Sequence, residues 1–105
     1  MGNNFLKKIF LFLFLSTLYS QTFDLSGKII SKRFSKPISD VNIIIQDSSL
    51  GVASNSLGLF SFSGLKKSQY TLMVSAIGFK DLLLNINLTE NISNLLIELE
   101  REAVL

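Results

Sequence analysis

With 105 residues and neither histidine nor cysteine, the chain is long enough for one domain and lacks the side chains for Ser-His-Asp or Cys-His nucleophiles, histidine-based zinc sites and thiol redox chemistry. Its formal charge of +2 sets ten basic residues against eight acidic ones, and two of the basic ones, Lys7 and Lys8, lie in a segment that reads as a leader. Without those two, eight face eight, so the charge balance implies no nucleic-acid or anionic-membrane partner.

Behind Lys7 and Lys8 comes an unbroken apolar run from Ile9 to Leu15, then the more polar Ser16 to Ser20. This order predicts a signal peptide over residues 1–20, cleaved after Ser20 to leave Gln21 at the N-terminus of an exported chain. The run falls well short of the ~20 apolar residues that span a bilayer. An uncleaved anchor is the alternative, since Leu18 is larger than the residue usual at that position before a cut. No cysteine follows to carry a lipid. The segment after the leader is near the small end for a domain held by packing alone, and it has no disulfide to help.

From Phe23 onward the apolar residues recur with a period of two. Phe23, Leu25, Gly27 and Ile29 predict a first strand, and the polar stretch from Ser31 to Pro37 predicts a turn. Val41, Ile43 and Ile45 predict a second strand, closed by Asp47, Ser48 and Ser49. Gly51 to Ser54 and the segment carrying Phe60 and Phe62 read as two short strands of a tight hairpin, turned by Asn55 to Gly58. A loop over Gly64 to Ser68, with Lys66 and Lys67, leads to a strand from Tyr70 to Ala76 that Gly78 ends or bulges. Leu82 to Leu88 and Leu95 to Leu99 supply the last two strands. Seven short strands with one apolar face each predict an all-β fold, an antiparallel β-sandwich over residues 21–100 with a tail over 101–105.

Candidate chemistry is sparse. Ser31-Lys32 and Ser35-Lys36 sit in a polar loop, where solvated side chains are the simpler reading than a Ser-Lys catalyst. Asp24, Asp40, Asp47 and Asp81 are scattered one to a segment and read as strand-end or turn carboxylates. Glu98, Glu100 and Glu102 share one face of a strand and read as a solvated face sooner than as a cation site. Tyr70, Phe60, Phe62 and Phe79 offer aromatic faces for sugar stacking, but all except Phe79 share the inward parity of neighbouring aliphatics, so core packing is expected. Asn87-Leu88-Thr89 and Asn91-Ile92-Ser93 match glycosylation acceptors and are read as incidental. No catalytic residue, metal ligand or cofactor site is assigned.

In order along the chain, Ser26-Gly27-Lys28-Ile29, Pro37-Ile38, Val41-Asn42-Ile43, Gly51, Gly58, Phe60, Tyr70-Thr71-Leu72, Val74-Ser75 and Ile77-Gly78-Phe79 resemble the signatures of the carboxypeptidase regulatory-like domain. The resemblance covers about residues 23–99 and implies a transthyretin-like (prealbumin-like) β-sandwich. Two positions depart from the family pattern: an acidic residue is usual where Asn55 or Leu57 stands, and Pro or Gly where Ser68-Gln69 precedes Tyr70. The version it is most similar to is the N-terminal domain of TonB-dependent outer-membrane receptors. That implies a non-catalytic module of the periplasm or outer membrane, from a truncated receptor or a small stand-alone relative, touching a receptor or the energy-coupling machinery during nutrient uptake. The alternative is an exported module that binds carbohydrate or a surface partner through Phe79 and the Lys66-Lys67 loop.

Overall fold

The computed structural model describes residues 21–103; the expected leader and residues 104–105 lie outside it. Seven strands follow in chain order: β1 (Thr22–Ser31), β2 (Asn42–Ile45), β3 (Gly51–Ala53), β4 (Leu59–Lys66), β5 (Ser68–Ser75), β6 (Leu82–Leu88) and β7 (Ile92–Leu99). They form two sheets, β4-β1-β7 and β3-β2-β5-β6. Each strand turns its apolar parity inward because side chains alternate between faces and only one face of each sheet escapes water. Leu25, Ile29, Ile43, Leu72, Leu88 and Leu99 are wholly buried between the sheets, and Phe60 and Phe62 meet edge to face at 6.4 Å in the same core.

The sandwich agrees with the sequence reading, but three of its details differ. β3 and β4 are not the two arms of a hairpin. β3 pairs with β2, Ile43 opposite Val52, whereas β4 pairs with β1, Gly27 opposite Phe60. The segment between them is a corner that carries the chain from one sheet to the other. Its turn chemistry is as expected: Gly58 has φ 75°, and Asn55 accepts hydrogen bonds from the amides of Leu57 and Leu59 through Oδ1, both at 3.0 Å. A turn of this kind fixes local backbone direction, and which strand the chain then joins is decided by distant partners. The second difference is that β1 and β7 run parallel, the first strand and the last lying side by side, while every other pair is antiparallel.

The expected loop over Gly64 to Ser68 is also absent, because β4 continues to Lys66 and β5 begins at Ser68. A bulge accommodates this: two residues of β4, Ser63 and Gly64, oppose Asp24 of β1, and the Gly64 amide donates to Asp24 Oδ1 at 3.1 Å. Beyond β7 the chain stays attached. The Lys80 amide donates to the Glu100 carbonyl and the Glu102 amide to the Gly78 carbonyl, so residues 100–102 run along the turn ahead of β6.

Candidate interaction surface

Apolar side chains also occupy the outward parity of the four-stranded sheet. Ile44 of β2 lies opposite Met73 of β5, and Met73 lies opposite Leu83 of β6. Register therefore lines three apolar side chains in one row across the sheet, 42%, 42% and 65% exposed. Around the row stand Asn42, Thr71, Ser75, Asn85 and Asn87, and no outward residue within the four strands carries a charge. Asp81, just ahead of β6, is the one charged residue lining a shallow groove of about 320 Å³ along Met73 and Leu83. On the other sheet, by contrast, Asp24, Lys28 and Glu98 point outward, and the exposed Leu59 and Leu96 flank the charged Lys28 side chain instead of forming an uncharged row. An uncharged face with an apolar centre is the composition of an interface core.

A concavity of about 880 Å³ lies on the β4-β1-β7 sheet. Ser26, Asn55, Ser61 and Asn94 line it, and Lys28 is its one ionisable side chain. It therefore offers no acid/base pair.

The residues considered for chemistry have structural partners. Ser31 is buried, and its Oγ accepts from the Phe34 and Lys36 amides at 3.3 Å, bracing the loop after β1. Lys32 donates to Glu100 Oε1 at 2.9 Å, and Lys80 reaches Glu100 Oε2 at 3.5 Å. The hydrogen bond with Lys32 and the attraction of both lysines hold the Glu100 carboxyl below its ordinary pKa, and the same hydrogen bond raises that of Lys32. Asp40 and Asp47 stand at turn positions with positive φ. Among the described residues no three acidic side chains converge on a point that would hold a metal ion. Asn91 Oδ1 accepts the Asp24 amide at 2.9 Å, a use for that side chain inside the fold.

Phe79 and the Lys66-Lys67 segment do not form one site. Phe79 follows the C-terminal end of β5, whereas Lys66 and Lys67 precede its N-terminal end. The Phe79 ring packs on the core and carries the Arg101 guanidinium 5.4 Å from its centroid, so the face expected to be open is covered. Tyr70, Phe60 and Phe62 point inward as expected, with Tyr70 Oη donating to the Lys66 carbonyl at 2.6 Å.

Sequence reasoning passed over two features. The outward row was visible only as apolar residues on the polar parity of three separate strands, and strand register was needed to bring them together. Ser54, read merely as the end of a strand, is buried; its Oγ donates to the Ile38 carbonyl at 2.8 Å and accepts from the Val41 amide at 3.0 Å.

Two packed sheets around an apolar core, one of them uncharged across its outer face, define a β-sandwich module. The chain belongs to the CarboxypepD_reg-like domain family, whose model matches residues 25–105. No curated protein matches it by sequence. Among solved structures it is similar to the pilus 2b backbone protein of group B streptococcus, with TM-score 0.65, 11% identity, and 77% of this chain against 42% of that one. A chain of the type II cohesin–X-dockerin complex of Acetivibrio cellulolyticus matches with TM-score 0.62 and 15% identity, over 73% of this chain and 56% of that one. The 3-chlorocatechol 1,2-dioxygenase of Rhodococcus opacus 1CP matches with TM-score 0.64 and 8% identity, over 80% and 61%. At these identities the likeness is one of fold, and this chain spans less than two thirds of each of those three.

Proposed function

We propose that this chain is a non-catalytic exported module that works by protein contact in the cell envelope, like the N-terminal periplasmic domain of a TonB-dependent outer-membrane receptor. The observation that carries the reading is the uncharged outer face of β3-β2-β5-β6, with Ile44, Met73 and Leu83 in a row across it. Family membership supports it, as does the absence of histidine and cysteine from the whole sequence. The partner in this reading is a receptor or the energy-coupling machinery, docked on that face during nutrient uptake.

Two measurements test it. Mass spectrometry of the chain from the envelope fraction is expected to find Gln21 at the N-terminus, and an intact Met1 in the cytosol would overturn export. Affinity purification from that fraction is expected to recover an outer-membrane receptor or energy-coupling protein. Met73→Lys should abolish recovery while Ser61→Lys, on the opposite sheet, should leave it intact. Equal recovery by both variants would contradict the assignment of the face.

A further inference from the structure

The four edge strands of the sandwich are not equally protected. A sheet edge presents unpaired amides and carbonyls, and proteins blunt it by shortness, bulges, charge or proline. β3 is only three residues long. β4 carries the Ser63–Gly64 bulge and ends in Lys66. β7 has a register shift against β1, where Ser93 and Asn94 oppose Ser26, and it carries Glu98. β6 has none of these devices. Its seven residues, Leu82 to Leu88, include no charge and no proline, and its register with β5 runs unbroken from Val74–Leu82 to Ser68–Leu88. Among the described residues nothing pairs with its outer side.

The side chains on β6 show the same incompleteness. Leu83 is the most exposed member of the outward row because no strand lies beyond it. On the inward side Leu82 and Leu84, in the first half of the strand, are only half-buried, whereas Ile86 and Leu88 further along it are buried. A further strand alongside β6 would cover both sets, and its side chains facing Leu83, Asn85 and Asn87 would have to be uncharged.

We propose that the occupant is β6 of a second copy, paired antiparallel about a twofold axis. An isologous contact sets a surface against itself, so a charge close to the twofold axis would meet its like; β6 has none to oppose. Asp81, ahead of the strand, lies away from an axis through its middle. The result is one eight-stranded sheet per dimer, with Asn85 beside its mate at the axis and Leu83 of each copy opposite Asn87 of the other. The outer face of one copy, four strands at a spacing of about 4.8 Å and about 20 Å long, offers roughly 300–400 Å². That is about half the ~800 Å² per partner of a stable interface, and joining two copies doubles it. The edge contact itself is small, so the association is weak and rises with concentration.

The inference goes beyond the receptor reading and needs no receptor to test. Sedimentation velocity of the full chain, exported and purified, is expected to shift from monomer to dimer between low micromolar and near-millimolar concentration. Leu83→Lys should stay monomeric at the highest concentration with an unchanged circular dichroism spectrum. Because the chain has no cysteine, Asn85→Cys supplies a second measurement that does not depend on that variant folding. Held near its twofold mate, Asn85→Cys should form a disulfide-linked dimer under mild oxidation at least about tenfold faster than Ser61→Cys on the other sheet. A wild-type chain that is folded yet monomeric throughout, or equal cross-linking at the two positions, would overturn the proposal.

Discussion

Gly58 shows how one residue can be fixed by two independent constraints. Its φ of 75° already disfavours a side chain, and a Cβ placed there would stand 2.5 Å from the Ile29 carbonyl oxygen and 3.2 Å from Pro37 Cβ. Gly78 has a similar φ of 85° with open space around it. Urea denaturation is therefore expected to show Gly78→Ala costing about 1–2 kcal/mol, the backbone term alone, and Gly58→Ala distinctly more. Asn55 holds the same corner through a side-chain acceptor. Asn55→Ala should cost about 1–2 kcal/mol, and Asn55→Asp, which keeps the acceptor, should stay within about 0.5 kcal/mol of wild type. The need for a positive-φ residue at Gly58 was legible in the sequence, because local backbone chemistry is written locally. The burial of Ser54 was not, because its partners, Ile38 and Val41, lie across a loop whose path depends on the sheets.

At the level of elements, alternation identified every strand and its inward face, since the period of two is a direct consequence of strand geometry. Partnership was less legible. The Asn55–Gly58 turn suits a hairpin and an inter-sheet corner alike, and in the structure the strands on either side of it, β3 and β4, lie in different sheets. Likewise nothing local marks β1 and β7 as parallel neighbours, a contact between the two ends of the domain. The ends of β1 and β7 meet again at Glu100, which binds Lys32 after β1 and Lys80 ahead of β6. The pKa of Glu100 is lowered, so its contribution is present at neutral pH and is lost as pH falls through that lowered value. The pKa of Lys32 is raised, so its share persists through neutral pH and is lost only as pH rises through that raised value. All three side chains are half-exposed or more, which keeps the effect small. Thermal melts of wild type and Glu100→Gln should differ slightly at neutral pH and converge in acid.

On the scale of the whole molecule, the fold class followed from counting apolar faces, whereas the candidate surface did not. Ile44, Met73 and Leu83 are ordinary members of three strands until the β2-β5-β6 register sets them side by side. The two contact regions named for a carbohydrate or surface partner lie at opposite ends of β5 and so do not form one site. What remains is a sandwich whose charges sit on one sheet, its loops and its ends, and whose other sheet is uncharged across its outer face. The most direct test of that face is a photo-cross-linking residue substituted at Met73 in the living cell, compared with one at Ser61. The account predicts a discrete adduct with a different envelope protein from position 73 and none from position 61. Adducts of equal yield from both positions, or from position 61 alone, would contradict it.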